Sequence, residues 1–225
     1  MSKFIRLNIT AEGQTEEQFV KNTLSRYLGA YNISTDVRCV LTSRDKRKSH
    51  RGGLNNYNKA KKDIQCWLKE DKDPNARFST MFDLYALPTS FPKFREAQNI
   101  NDPYKKVEFL EKTFEEDIND KRFIPYIQLH EFETLILSKP QKLKWEYFEH
   151  SSAITKLTKV LNEHKNNPEL INENPETAPS KRIIKLIPEY DKVGVGADIA
   201  GIIGIDYLKK NCKHFNDWIE RLKKI

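Results

Sequence analysis

Acidic residues stand at the ends of apolar runs at three places in the chain. Glu12 directly follows the β-branched run from residue 4 to 11, Asp83 lies near the end of a second run, and Glu131 follows a third. Each run predicts a buried strand, and helical spacing between the runs predicts that the strands are parallel. The carboxyl ends of parallel strands meet at one edge of a sheet, where such folds bind ligands. We therefore expect Glu12, Asp83 and Glu131 to converge.

Carboxylates that converge repel one another unless a cation neutralises them. Magnesium is the simplest candidate because it prefers oxygen ligands, and manganese is the alternative. Glu16 lies one helical turn after Glu12, and an extended segment would place Glu133 on the same face as Glu131. Glu16 also has an ordinary explanation, as a first-turn acid that the helix dipole favours. The predicted metal ligands are Glu12, Glu16, Asp83, Glu131 and Glu133.

A divalent cation held by carboxylates on a basic protein indicates phosphoryl transfer, most simply the cleavage of a nucleic acid. The cation would activate water and stabilise charge on the scissile phosphate. Lys192, which lies just before the flexible Gly194-x-Gly196 segment, or Arg51 would neutralise that phosphate. His130 would orient a water, bind phosphate or cap a strand, and these roles remain open. The predicted catalytic residues are Glu12, Asp83, Glu131 and Lys192.

The formal net charge of +7 fits a polyanionic partner such as DNA or RNA. The basic residues concentrate in a polar segment after the second predicted strand and again near residue 181. The alternative is that these segments are ordinary solvated charged surfaces. The predicted nucleic-acid-binding residues are Arg44, Lys46, Arg47, Lys48, Arg51, Lys181 and Arg182.

Other kinds of chemistry lack their sequence motifs. The chain contains no GxSxG segment, no P-loop and no CxxC pair. Its cysteines lie far apart, which is typical of a reducing compartment, and we expect a cytoplasmic protein. No apolar run approaches the roughly 20 residues of a membrane span, so we expect no membrane partner.

The elements that must position these residues alternate between strands and helices. This alternation predicts an α/β fold with a mostly parallel sheet flanked by helices. After Pro140 the spacing is mainly helical, so residues 1–138 are predicted to form the α/β core and residues 139–225 a helical C-terminal extension packed on it. The predicted strands are residues 4–11, 36–42, 77–87 and 123–129, the predicted helices before Pro140 are 15–28, 57–68 and 104–118, and residues 43–58 are predicted to form a loop.

Several short blocks resemble a known family. The segment from Glu12 to Glu17, with the sequence EGQTEE, resembles the glutamate motif of Toprim domains. Tyr85 stands where the second aspartate of the Toprim DxD motif would follow Asp83. The wider pattern is similar to an uncharacterised bacterial Toprim-like family related to the Toprim domains of OLD-type nucleases. Its further blocks are residues 81–85, 130–133, 179–182, 190–192, 203–204 and 214–218.

The resemblance implies a Toprim-like fold and a nuclease that acts in bacterial defence against phage. It also implies a partner, an ABC-type ATPase encoded alongside. The loss of the second DxD aspartate at Tyr85 supports an alternative, in which the chain is a non-catalytic subunit that binds the ATPase or nucleic acid. The choice between DNA and RNA, and assembly into a homo-oligomer, are left open.

Overall fold

The computed structural model describes residues 4–45, 48–51, 54, 56–172 and 177–225. A parallel five-stranded sheet lies at its centre, in the order β2-β1-β5-β6, with β7 also pairing with β5. Helices cover both faces of the sheet, and the C-terminal region is helical. The strands are β1 (Ile5–Ala11), β2 (Ile33–Cys39), β3 (Leu41–Asp45), β4 (Lys48–Arg51), β5 (Ala76–Asp83), β6 (Phe123–Ile124) and β7 (Ile127–Gln128). The predicted α/β class, with a mostly parallel sheet, is confirmed.

The helices between the strands follow the predicted apolar periodicity. A π-helical turn, Val20–Leu24, joins the first two of them. Among the described residues, no helix is both long and apolar enough to cross a membrane. The α-helices are α1 (Gln14–Phe19), α2 (Ser25–Gly29), α3 (Tyr57–Glu70), α4 (Phe94–Ala97), α5 (Pro103–Ile118), α6 (Glu133–Leu137), α7 (Ser151–Glu163), α8 (Pro179–Leu186), α9 (Ala197–Ile203), α10 (Ile205–Asn211) and α11 (Lys213–Leu222).

The central strand β1 runs parallel to β2 on one side and to β5 on the other. Ala11, its last residue, pairs with Cys39 of β2 and with Met81 of β5. One residue later, the Glu12 backbone N–H donates to the Met81 carbonyl at 3.0 Å. This register places the residues after β1 beside the end of β5, at the carboxyl edge of the sheet.

The strand predicted over residues 36–42 is β2, which lies three residues earlier, and two other predicted strands are shortened or interrupted. Strand β5 stops at Asp83 because residues 84–86 turn into a 3-10 helix. The strand predicted over residues 123–129 is instead two short strands, β6 and β7, on either side of Pro125. Proline has no N–H to donate to a neighbouring strand, which explains the interruption.

The polar segment predicted to be a loop contains an antiparallel pair of strands, β3 and β4. Their pairing rests on backbone hydrogen bonds, which need no apolar alternation, so the polar sequence concealed it. Lys46 and Arg47 lie outside the described residues. Arg44 lies in β3, and Lys48 and Arg51 lie in β4.

Two buried cores cover the two faces of the sheet. Leu7 and Ile9 of β1 belong to one core, and Phe78 and Phe82 of β5 to the other. The C-terminal region joins the first core, where the indole ring of Trp218 stacks on the ring of Tyr126 with their centroids 4.1 Å apart. Residues on both sides of position 138 therefore share one core. A domain boundary at that position stays a prediction.

Candidate active site

The ends of β1 and β5 bring two carboxylates together. Glu12 Oε2 accepts a hydrogen bond from the backbone N–H of Asp83 at 2.9 Å. The Asp83 side chain is buried, with 4% of its surface exposed. Its Oδ1 atom has no hydrogen-bond partner within the part of the chain that the structure describes. Strand pairing thus places the half-buried Glu12 beside the buried Asp83, which has one unsatisfied oxygen.

The first turn of α1 adds a third carboxylate. The helix begins at Gln14, and Glu16 turns back so that its Oε2 accepts from the Gly13 N–H at 3.0 Å. Glu16 is buried, and its charge raises the pKa values of Glu12 and Asp83. The Glu16 side chain can therefore cap α1 and belong to the acidic cluster at the same time.

A fourth carboxylate and a lysine complete the cluster. Glu133, in the first turn of α6, is fully buried. Lys192 Nζ lies 3.0 Å from Glu133 Oε2 and 3.6 Å from Asp83 Oδ2. The Lys192 side chain is 37% exposed, so the cluster reaches solvent along it. We call Glu12, Glu16, Asp83, Glu133 and Lys192 the acidic cluster.

A glycine-rich π-helical turn, Lys192–Gly196, positions the lysine. Asp191 caps it, since its Oδ1 accepts from the Val193 and Gly194 N–H groups at 3.0 and 2.9 Å. A Cβ at Gly196 would lie 2.9 Å from the Tyr190 hydroxyl, so only glycine allows this close approach. The Thr15 hydroxyl also donates to the Lys192 carbonyl at 3.4 Å, which ties the turn to α1.

Glu131 takes a different position from the other predicted ligands. Its Oε1 accepts from the Ser180 N–H at 2.6 Å and its Oε2 from the Ser180 hydroxyl at 2.9 Å, at the start of α8. Its charge still acts on Glu12, Lys192 and Glu133. Both Glu131 oxygens are therefore occupied, and its position fits a neighbour of the cluster better than a ligand within it.

The expectation that Glu131 and Glu133 share one face of an extended segment is wrong. His130 has a left-handed backbone, with φ of 64°, and α6 begins at Glu133. The bend at His130 and the helical backbone from Phe132 onward replace the extended segment on which that expectation rests. Glu133 consequently turns to Lys192, whereas Glu131 turns to Ser180.

Burial is the main influence on the acids of the cluster. It raises the pKa of Glu12 to about 7, against the lowering effect of the Asp83 N–H and with further repulsion from Glu16. Burial likewise raises the pKa values of Glu16, Asp83 and Glu133, which the Lys192 ammonium only partly offsets. Burial alone would lower the pKa of Lys192, but attraction by Asp83, Glu133 and Glu16 raises it. The single Lys192 ammonium lies near several carboxylates. The pKa of the lysine is therefore raised, while the pKa values of the carboxyl groups also stay above their usual values.

Glu12→Gln is expected to remove part of the pH dependence of stability. The raised pKa means that the folded state holds this proton more tightly than the unfolded state, so native stability falls as the pH rises from about 5 to 8. Glutamine can still accept from the Asp83 N–H but carries no charge. Urea unfolding without metal should show the variant matching the native protein near about pH 5 and exceeding it by about 1–2 kcal/mol near about pH 8. A difference that is the same at both pH values would contradict the charge argument.

The donor set of the cluster fits a hard divalent cation in its chemistry. It offers carboxylate oxygens, it holds more negative than positive charge when ionised, and Asp83 Oδ1 is buried without a partner. As the side chains stand, no group of three or more His, Cys, Asp or Glu residues in the described segments could hold a metal ion. The Lys192 ammonium lies against Asp83 and Glu133 instead. Metal binding at these carboxylates therefore requires the ammonium to move aside, which its partial exposure permits.

His130 and Tyr85 lie beside the cluster, at a separate cavity. The Tyr85 N–H donates to the His130 carbonyl at 3.0 Å, and the two rings lie 5.4 Å apart. His130 is 3% exposed, and its Nε2 lies 2.8 Å from the Glu169 carbonyl oxygen. Burial lowers the pKa of His130 to about 4 and raises that of Tyr85 to about 12.

Among the predicted nucleic-acid-binding residues, Lys181 and Arg182 are those whose side chains the structure describes. Lys181 and Arg182 lie in the first turn of α8, next to Ser180. The Arg182 guanidinium Nε donates to the Thr177 carbonyl at 2.7 Å, which gives it a local structural role. For the rest of the set, nucleic-acid binding stays a prediction.

Sequence reasoning missed a buried glutamate that organises the region between the cluster and the C-terminal helices. Glu169 is fully buried, and its carboxylate accepts from the N–H groups of His214 and Phe215, at 3.0 and 3.1 Å, and from the Tyr104 hydroxyl at 3.0 Å. It thereby caps α11 and ties it to α5. In the sequence it follows Asn167-Pro168 in a polar stretch, where nothing marks it as buried.

Fold and site together define an α/β protein with a buried acidic cluster at the carboxyl edge of its parallel sheet. The chain belongs to a family described as Domain of unknown function (DUF4276), whose model matches residues 11–223. No curated protein matches it. It is similar to two solved structures of the C-terminal region of the Xanthomonas campestris pv. campestris OLD protein. The one phased with iodine has 14% identity, a TM-score of 0.42 and coverage of 97% of both chains. The one phased with mercury has 13% identity, a TM-score of 0.37 and coverage of 97% of this chain and 98% of that one.

Proposed function

We propose that this protein is a metal-dependent nuclease, or a closely related phosphoryl-transfer enzyme, that acts on nucleic acid. The observation that carries the proposal is the acidic cluster. Buried carboxylates with raised pKa values are gathered where the adjacent parallel strands β1 and β5 end. Perturbed acids in this position are typical of functional sites rather than of structural ones.

The side chains of the cluster divide the work in this proposal. Asp83, Glu12, Glu16 and Glu133 would hold Mg²⁺ or Mn²⁺, which when bound supplies a Lewis acid and a water of lowered pKa. Without metal, burial raises the pKa of Glu12 to about 7, so this carboxyl would release its proton when the cation binds near neutral pH. Lys192, partly exposed beside Asp83, would meet the phosphate and balance its charge. Ser180 keeps Glu131 fixed, so Glu131 contributes negative charge from outside the ligand set.

The proposal extends to biological context. A Toprim-like nuclease of this kind would act in bacterial defence against phage, together with an ABC-type ATPase. The support for this part is the order of the Toprim-like sequence blocks along nearly the whole chain. It leaves open whether cleavage needs the ATPase.

The direct test is metal-dependent cleavage by the purified chain. Single- and double-stranded DNA and RNA would be incubated with Mg²⁺, with Mn²⁺ and with a chelator. We expect products with Mg²⁺ or Mn²⁺, their disappearance with the chelator and their return when metal is restored in excess. Equal product formation with the chelator would exclude a metal-dependent reaction at this cluster.

A second function is favoured by the position of Lys192. Its ammonium lies against Asp83 and Glu133, so it neutralises part of the cluster without a metal. Together with Tyr85 at the position of the second DxD aspartate, this fits a non-catalytic subunit that binds an ATPase or nucleic acid. Metal-independent binding of nucleic acid, without cleavage in either metal with or without the ATPase, would support this function over the first.

A further inference from the structure

A cavity of about 390 Å³ lies next to the acidic cluster. Its wall on one side is the 3-10 turn that follows Asp83, and on the other the start of α5. The residues that give it chemical character are Tyr85, Gln98, Lys106, His130 and Asn172. A volume of this size holds a ligand of about one nucleotide, and the lining mixes a cation, amides and an aromatic ring.

His130 lines this cavity, and its ring carries a buried nitrogen without a partner among the described residues. Its Nε2 lies 2.8 Å from the Glu169 carbonyl oxygen, which can only accept, so Nε2 carries the hydrogen. In the tautomer with its hydrogen on Nε2, Nδ1 is an acceptor. In the described part of the chain this buried Nδ1 has no partner. A structural anchor would use Nε2 alone, so the second nitrogen needs a donor that the described residues do not supply.

The other lining residues define what such a donor belongs to. Asn172 Oδ1 is a second buried acceptor that has no partner among the described residues. Lys106 also lines the cavity, so positive charge lies at its wall. The Tyr85 ring is 41% exposed and borders the same space. A ligand with donor hydrogens, a negative charge and a flat ring satisfies all of these groups.

We propose that this cavity binds one nucleotide of the substrate, with its sugar or base donating to His130 Nδ1, its phosphate near Lys106 and its base against Tyr85. This inference rests on the proposed nuclease function and names the part of the substrate that is held. A free phosphate has no ring to lie against Tyr85, and a neutral sugar leaves the cation unused. Aromatic stacking of bases is a common source of affinity for single strands.

Connectivity places the bound nucleotide beside the carboxylates. Tyr85 follows Asp83 by two residues, and His130 directly precedes Glu131. The Tyr85 N–H bonds to the His130 carbonyl, so both walls are fixed to each other. A nucleotide in the cavity would therefore direct its neighbouring phosphodiester towards the acidic cluster.

The test is calorimetric binding of adenosine 5′-monophosphate, adenosine and inorganic phosphate to the full chain, without divalent metal. We expect the nucleotide to bind at least about tenfold more tightly than either fragment. Lys106→Met should weaken nucleotide binding by about 5- to 10-fold, whereas the matched change Lys105→Met, on the exposed neighbouring position, should leave it unchanged. Equal losses of nucleotide affinity in both lysine variants would show only general charge attraction and would overturn the proposal. Equal affinity of the native protein for phosphate and for the nucleotide would also overturn it.

Two substitutions of His130 test the acceptor. His130→Gln keeps a donor for the Glu169 carbonyl but removes Nδ1, and should weaken nucleotide binding by about tenfold. His130→Asn, which tolerates the left-handed backbone, retains an acceptor near the Nδ1 position and should bind more tightly than the Gln variant. The opposite order would overturn the role of Nδ1. Asp83→Asn should leave nucleotide binding intact, so the cavity can be confirmed even if the chain proves unable to cleave nucleic acid.

Discussion

Asp83→Asn is expected to lower the metal-dependent cleavage rate by about 10²–10³-fold. Asp83 is the most central acid of the cluster, because its Oδ1 is buried without a described partner and its Oδ2 faces Lys192 at 3.6 Å. Asparagine keeps the size of the side chain but removes the charge that would bind a divalent cation. Product formation over time at saturating substrate measures the effect.

The matched control for this change is Asp36→Asn. Asp36 is an exposed residue of β2 in the same sheet, and its Oδ1 accepts a hydrogen bond from the Val37 N–H at 2.8 Å. The control should cleave at the native rate, and circular dichroism should show that both variants are folded. Native activity in the Asp83 variant would contradict a role for the acidic cluster in the reaction.

The sheet and its acidic edge could be predicted from local sequence alone. The β-branched run before Glu12 and the apolar run before Asp83 specify strands, and helices between them require parallel pairing. Once β1 lies beside β5, Glu12 and Asp83 must be neighbours at the carboxyl edge. This part of the fold follows from periodicity and connection rules, which act over short distances along the chain.

The partners of those acids could not be predicted in the same way. Ser180 binds Glu131 across a separation of 49 residues, and Lys192 reaches Asp83 from a turn that packs on α1. Both contacts depend on how the C-terminal helices fold back on the first core. No periodicity in the sequence encodes that packing. The sequence could therefore assign Lys192 a role but could not show that its ammonium pairs with Asp83 and Glu133.

The left-handed conformation of His130 is a second feature that local sequence concealed. An apolar run followed by His-Glu-Phe-Glu suggests a continuing strand, whereas the chain bends at His130 and begins a helix at Glu133. Histidine tolerates this backbone region better than bulky residues do, but it does not demand it. The bend is supported by tertiary contacts, among them the one from His130 to the Glu169 carbonyl.

Lys192→Met is expected to lower the free energy of unfolding by about 2–3 kcal/mol near about pH 8 without metal. The variant leaves Glu133, which is fully buried, and Asp83 without the ammonium beside them. We expect a smaller loss of stability than for a fully buried ion pair, because the lysine side chain is 37% exposed. Without the ammonium, the carboxyl pKa values rise further, and raised carboxyl pKa values cost stability as the pH increases. The deficit should therefore shrink towards about pH 5.

Adding Glu133→Gln to Lys192→Met should restore part of the lost stability, since it removes one of the uncompensated charges. Lys21→Met is the control, because Lys21 forms an exposed pair with Glu17 and should change stability by less than about 0.5 kcal/mol. If the acids bind a divalent cation, Mg²⁺ should also stabilise the Lys192 variant more than the native protein, because no ammonium competes for the same oxygens. A deficit independent of pH and of Mg²⁺ would mean that Lys192 acts only through packing, and the cluster would then need no cation at all.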